Sequence, residues 1–298
     1  MEEFMDIKEA SIAWNLSERS VRNYCASGRV KGAMIEDGAW KIPQGAKKPV
    51  RSNEKKNKNY LLERLREEKK HRIDGGIYHK LQIELTYNSN HMEGSRLTRD
   101  QTRYIFETRT IGVEDPKTAL YVDDIFETVN HFSMVDKVID SANYELSEAF
   151  IKELHRILKT GTSDSRLPYF AVGDYKRRQN TVGEIETTAP QMVAKEMKKL
   201  LGEYNKKDLH SLEEIVELHV RFERIHPFQD GNGRVGRMIA FKECLKNNIV
   251  PFIIRDDKKF FYYRVLKEWD KEPGRLIETC LDGQDIVKSY LDYFGIKY

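Results

Sequence analysis

Within HPFQDGNGRVGR, residues 226–237, stand His226, Asp230, Asn232, Arg234 and Arg237, spaced by a Pro and three Gly. Pro227 disfavours helix at the residue before it. His226 is therefore predicted at a rigid helix end, facing whatever the loop binds. Gly231 and Gly233 put no side chain in the way, so backbone N–H groups can converge on an anion. The loop runs into a helix whose N-terminus adds unpaired N–H groups and partial positive charge. Arg234 and Arg237 are expected in the first turn of that helix, where each cation opposes the macrodipole by about 0.3–1 kcal/mol. A bound polyphosphate resolves the conflict, because guanidinium groups take phosphate oxygens bidentately. Asp230 beside a phosphate is repulsive unless Mg²⁺ lies between them, and that ion typically uses one or two carboxylates plus phosphate oxygens. His226 titrates near neutrality and can serve as the base. Together these residues suggest phosphoryl or nucleotidyl transfer to a hydroxyl. The plainer alternative is a Gly-rich turn with surface Arg.

The flanking pattern is helical. Ser211 and Glu214 form a capping box for the helix that leads into the loop. Ser147 precedes a helix with Phe150, Leu154, Ile157 and Leu158 inward and Gly161 as its stop. A further helix over ALYVDDIFETVNHFSMVDKVID places Val122, Ile125, Val129 and Phe132 on one face. His131, His155 and His219 lie inside these helices and read as packed or solvent-facing residues rather than ligands. One stretch departs from helix: GDYKRRQNTVG, residues 173–183, is polar and Gly-bounded and reads as an exposed hairpin.

No Walker A loop or kinase Gly-rich loop occurs. The 226–237 stretch instead resembles the Fic family signature, His-x-Phe-x-Asp-Gly-Asn-Gly-Arg-x-x-Arg, at every fixed position. The likeness extends over roughly residues 60–290, including the helix starting near Ala189-Pro190. It implies transfer of AMP from ATP to a protein Ser, Thr or Tyr hydroxyl, self-modification included, with release of pyrophosphate. By that resemblance His226 deprotonates the hydroxyl and Asp230 holds Mg²⁺. Asn232 with the Gly231 and Gly233 amides binds the α-phosphate, Arg234 the β-phosphate and Arg237 the γ-phosphate, while Phe228 anchors the loop. The 173–183 hairpin is similar to the family's target-binding flap, which assigns Tyr175, Lys176, Thr181 and Val182 to target binding. Lys176 stands where the family commonly has Arg, and Asn180 where an apolar residue is common.

Residues 77–95, IYHKLQIELTYNSNHMEGS, hold a second pattern. Ile77, Leu81, Leu85, Ser89 and Glu93 recur every four residues along one slanting ridge of a helix. Gly94 closes that helix, and Thr98 with Gln101 opens the next with a capping box. A carboxylate continuing a buried row needs a cationic partner. Taken alone, Glu93 also reads as an exposed helix-end residue. Ser89-Asn-His-Met-Glu93-Gly94 resembles the Fic inhibitory motif, Ser/Thr-x-x-x-Glu-Gly/Asn. The resemblance pairs Glu93 with Arg237 and makes residues 77–94 an intramolecular brake.

Residues 5–43 look like a separate unit. Ile7, Ala10 and Ala13 make a short helical face, and Ser17 caps a second helix over Glu18 to Ala26 with Val21, Tyr24 and Cys25 inward. Gly28 is expected to end that helix, and Asp37-Gly38 to turn a hairpin. Arg19, Ser20, Arg22 and Asn23 are left outward or flanking, where a recognition helix would present them to a major groove. The segment resembles excisionase or MerR-type DNA-binding domains, and a protein-binding module on the same scaffold is the alternative. Between Lys47 and Arg72 eleven Lys and Arg face four Glu, a local excess of +7 in a chain whose formal total is +3. Such a run is either a solvated face or a phosphate-tracking one.

The chain of 298 residues, 39% hydrophobic and 33% charged, is thus expected to be mainly α. A winged helix-turn-helix-like domain at 1–45, a basic linker at 46–59 and a Fic-type helical domain with a short β-hairpin flap at 60–298 follow. Cys25, Cys244 and Cys280 have neither metal-ligand spacing nor a disulfide framework, which fits a reducing cytoplasm. No signal peptide and no apolar run long enough to span a membrane are read in the sequence. The leading expectation is an autoinhibited adenylyltransferase using ATP and Mg²⁺. Alternatives are a de-AMPylating hydrolase using Glu93, and a DNA-binding regulator whose Fic domain senses nucleotide. A homodimer is compatible with each.

Overall fold

Ser211 accepts the backbone N–H of Glu214, whose side chain accepts that of Ser211. This box starts the helix that carries His226 to the site, and Thr98 with Gln101 starts another helix in the same way. The computed structural model describes residues 4–26, 30–36, 39–48, 58–112, 119–182 and 185–298. Gly28, the Asp37-Gly38 turn and residues 49–57 of the basic linker lie outside them.

The N-terminal elements are β1 (Phe4–Met5), α1 (Ile7–Trp14), α2 (Glu18–Ala26), β2 (Met34–Glu36) and β3 (Ala39–Pro43). The strands form one antiparallel sheet in the order β1-β3-β2. Asp6 and Glu9 cap α1 reciprocally, and its inward face is Ile7, Ala10 and Trp14. Ala13, expected inside, is exposed. Ile7, Ala10 and Trp14 fall at i, i+3 and i+7 and share a face, whereas Ala13 is turned off it. These three residues join Met5, Val21 and Ile42 in a cluster of their own.

The larger part comprises α3 (Tyr60–His71), α4 (Ile77–Met92), α5 (Arg99–Thr108), α6 (Val122–Ser141), α7 (Glu148–Lys159), α8 (Pro190–Tyr204), α9 (Leu212–Ile225), α10 (Asn232–Lys246), α11 (Lys259–Lys267) and α12 (Pro273–Tyr293). α10 is buried on nearly every side from Asn232 to Leu245. It packs on α9, α6, α7 and α4, so residues on those four helices can reach its N-terminal end. A helix enclosed in this way has no polar face to give to water, and its charged residues need partners in the protein.

Ser147 caps α7, with Leu154 and Leu158 fully buried and Gly161 at φ +83° just beyond it. On α6 the buried face begins later than the spacing predicts: Val122 is exposed, and Phe132, Val135 and Val138 carry the packing. Position 122 opens the helix, before it reaches its neighbours. His131, His155 and His219 are all buried. A two-stranded hairpin pairs β4 (Thr181–Val182) with β5 (Ile185–Glu186). It sits further along the chain than 173–183, because residues 173–179 are taken up in turns and bends.

Candidate active site

His226 ends α9 in the left-handed conformation, φ 51° and ψ 60°, with its N–H bonded to the Phe222 carbonyl. His226 thus stands at the helix end, as the following Pro227 predicts. Its Nδ1 lies 3.3 Å from the Glu223 carbonyl. That contact selects the neutral tautomer with the proton on Nδ1, leaving Nε2 free to accept one. Burial lowers the imidazole's pKa most, the Glu223 carbonyl raises it, and the Lys176 ammonium lowers it again, against Asp230 and Glu93, leaving a net fall. The ring is a neutral base at physiological pH.

Phe228 is fully buried and stacks on His155, with ring centroids 4.0 Å apart. Asn232 closes the loop from below: its side chain accepts the Phe228 N–H at 2.8 Å and donates to the Phe228 carbonyl at 2.9 Å. The Asn232 amide therefore shapes the loop. Gly231, φ +81°, precedes α10, and a Cβ there would come within 3.0 Å of Leu158.

Arg234 and Arg237 point to different partners. Arg234 is paired with Glu127 and, at 3.1 Å, with Asp230. Arg237 stands in the second turn of α10, one turn later than predicted, because the helix begins at Asn232. Its Nε donates to Ser89 Oγ at 3.0 Å, and its Nη2 to the Ser89 carbonyl at 2.9 Å and to Glu93 Oε1 at 2.7 Å. Glu93 also accepts the Tyr263 hydroxyl at 3.2 Å. Burial raises the Glu93 carboxyl's pKa, but Arg237 and Arg234 outweigh it and hold the group below the ordinary range. A Cβ on Gly233 would fall within van der Waals distance of Glu93 Oε1, so the carboxylate lies against the N-terminal turn of α10. Gly94, φ +99°, turns the chain away just after it.

Asp230 meets a cation the sequence reading did not include. Lys159 Nζ, almost wholly buried, lies 2.8 Å from Asp230, 2.7 Å from Glu127 and 3.2 Å from Asp164. Burial opposes ionisation of Asp230, but Arg234 and Lys159 hold its carboxyl far below the usual range. Lys159 passes for an ordinary basic residue in the last turn of a helix, and nothing local marks its partners. The Asp230 side chain remains half exposed. Among the described residues no group of three or more His, Cys, Asp or Glu side chains is placed to hold a metal by itself. Arg234 Nε and Arg237 Nη1 are buried with no hydrogen-bond partner among those residues. An open, ionised carboxylate beside unspent guanidinium donors suits a divalent ion that arrives with phosphate oxygens.

Of the four residues assigned to target binding, two turn inward. Tyr175 donates to Glu148 at 2.7 Å, and Lys176 is buried. Thr181 and Val182 are exposed on β4. On α2 the polar face is partly engaged within the chain: Arg19 pairs with Asp282 and Asp285 of α12, Arg22 with Glu18 at 2.8 Å, and Ser20 with Ser17 at 3.0 Å. Asn23 is exposed.

Residues 145–243 match the model of the Fic/DOC family. The matched stretch includes both sides of the site, from Lys159 to Arg237. The chain is 30% identical over 207 residues to the protein adenylyltransferase Fic of Drosophila persimilis and 29% identical to that of Drosophila melanogaster. These matches cover 66% of this chain and 38% and 40% of the relatives, so the chain spans about two fifths of their length. A Fic domain-containing signaling protein from Bacteroides thetaiotaomicron is 28% identical with a TM-score of 0.59, over 79% of this chain and 88% of that one. Fic-1 of C. elegans has the same TM-score at 19% identity, over 80% and 72%, and shares the fold. No described helix is long and apolar enough to cross a membrane.

Proposed function

We propose that the chain is an autoinhibited protein adenylyltransferase, moving AMP from ATP to a protein hydroxyl and releasing pyrophosphate. The observation that carries this reading is the 2.7 Å contact of Arg237 with Glu93, whose carboxylate lies against Gly233. A carboxylate at a helix N-terminus occupies the place a phosphate would take. Its retention there by an arginine suits a site built for anions and stopped by one of its own.

His226 Nε2 takes the proton of the attacking hydroxyl, and the Nδ1 contact with the Glu223 carbonyl keeps the ring in the required tautomer. The Gly231 and Gly233 amides and the N-terminus of α10 face the α-phosphate. Arg234 and Arg237 bring their unspent donors to the β- and γ-phosphates. Asp230, held by Lys159 and Arg234, would hold Mg²⁺, which neutralises phosphate charge when bound. The exposed β4 strand at Thr181–Val182 offers the target backbone an edge. With Glu93 in place Arg237 cannot give its guanidinium to a γ-phosphate, and the triphosphate lacks its productive seat.

The test is mass spectrometry of the Glu93→Gly chain after incubation with Mg²⁺ and each nucleoside triphosphate. An adduct of one AMP per site from ATP, absent when His226→Ala is added, is the expected result. No adduct with any nucleotide would sink the reading.

A further inference from the structure

Lys176 is a buried cation that the reading above does not use. Its Nζ meets only neutral oxygens in the described structure, Asn180 Oδ1 at 2.7 Å and Thr187 Oγ1 at 2.6 Å. No carboxylate among the described residues lies within ion-pair distance of it. The same stretch is fastened to the catalytic loop. The Lys176 N–H donates to the Pro227 carbonyl at 2.8 Å, and Asn180 Nδ2 to the carbonyls of Phe228 at 3.0 Å and Gln229 at 3.3 Å. The Arg178 N–H reaches Gln229 Oε1 at 3.3 Å. Thr187 Oγ1 also donates back to the Asn180 carbonyl at 2.9 Å.

We propose that Lys176 is a positioning residue for His226: its side chain holds Asn180, whose amide fastens on the catalytic loop, and its buried ammonium opposes a second positive charge on the imidazole beside Pro227. A buried lysine that forgoes a carboxylate bears a desolvation cost, consistent with its pKa falling to about 8. An acid placed beside it would cancel its field at His226. The charged groups bearing on that ring are Lys176, Asp230 and Glu93, and two of the three are acids. Both acids have cationic partners of their own, Asp230 in Lys159 and Arg234, Glu93 in Arg237. Among the described residues Lys176 is therefore the cation whose field reaches the imidazole without a partner's offset. The base form of His226 persists to lower pH as a result, and the loop that presents it keeps its shape.

The inference takes His226 as the base of the proposed reaction, but its physical content can be read without turnover. The full-length chain, labelled at histidine nitrogens, is titrated by NMR, with His226→Ala assigning the signal. Lys176→Gln keeps hydrogen-bond donors and removes the charge. It should move the His226 midpoint up by about half a pH unit or more. Lys176→Arg should leave the midpoint in place. In the Glu93→Gly background the acid limb of the rate profile should move with the NMR midpoint for Lys176→Gln and stay for Lys176→Arg. An unmoved midpoint in Lys176→Gln, or an equal movement in Lys176→Arg, overturns the proposal. Absence of AMP transfer in every background, with the midpoint shift intact, counts against the transferase reading alone.

Discussion

Arg237 and Glu93, 144 positions apart in the chain, share a hydrogen-bonded ion pair at 2.7 Å. Ser89, one helical turn before Glu93, takes two further bonds from the same guanidinium. The α4 end and the α10 start thus meet through these polar contacts. Glu93 is the exchangeable member, because it sits at the rim, whereas Ser89 is buried.

Replacing Glu93 by Gly frees Arg237 and vacates the space over Gly233. A hydrogen bond to a charged group contributes about 1.5–3 kcal/mol, which translates into a rise in AMP incorporation of roughly 10- to 150-fold. Incorporation of labelled AMP under saturating Mg²⁺ checks the magnitude.

Tyr263 separates the brake from the substrate. Its hydroxyl donates to Glu93 at 3.2 Å and to no phosphate ligand proposed above. Tyr263→Phe should loosen Glu93 by about 0.5–1.5 kcal/mol and raise incorporation by roughly 2- to 10-fold, less than Glu93→Gly. In the Glu93→Gly background the same change should have no effect, which a double-mutant comparison of initial rates would show.

Lys159 holds Glu127 and Asp230 together from a buried position. Lys159→Met leaves those acids with Arg234 as their remaining paired cation and should destabilise the chain by about 3–5 kcal/mol, the usual result of breaking a buried pair from one side. The urea unfolding midpoint reads the loss directly. Nucleotide affinity should fall as well, because Asp230 then keeps Arg234 alone to hold it.

Asp230 has a folded pKa below its unfolded one, so the stability it contributes is present above the unfolded value, about 3.9, and is lost as pH falls below it. The thermal unfolding midpoint should therefore decline as pH is lowered through the carboxylate range. Asp230→Asn should reduce that slope. An identical slope in the two proteins would refute the assignment.

Gly236 has no room for a side chain. A Cβ there would lie 2.6 Å from Glu223 Oε1 and 3.1 Å from the His219 ring. Burial raises the Glu223 carboxyl to about 8, and its Oε1 has no hydrogen-bond partner among the described residues. Gly236→Ala should cost about 1–3 kcal/mol through overcrowding, visible in denaturant unfolding. Glu223→Ala in the same chain should recover part of it.

The sequence by itself determined the parts of this protein whose cause is local. Ser147, Ser211 and Thr98 mark helix starts because a side-chain oxygen and an orphan N–H lie within three residues of each other. The order of His226, Asp230, Gly231 and the two Arg marks an anion site because a turn and one helix end place them without help from elsewhere. The resemblance of Ser89 to Gly94 to the Fic inhibitory motif also pointed to the Glu93–Arg237 pair. Tertiary structure alone decided the charge balance. Lys159, Glu127 and Asp230 come from α7, α6 and the catalytic loop, and only the packing of those elements around α10 brings them within 3 Å. It also turned Tyr175 and Lys176 inward, where a polar stretch reads as exposed, and it gave Arg19 to the acids of α12. Periodicity and capping report which face of an element is apolar, but a charge's partner depends on which element the fold sets opposite it.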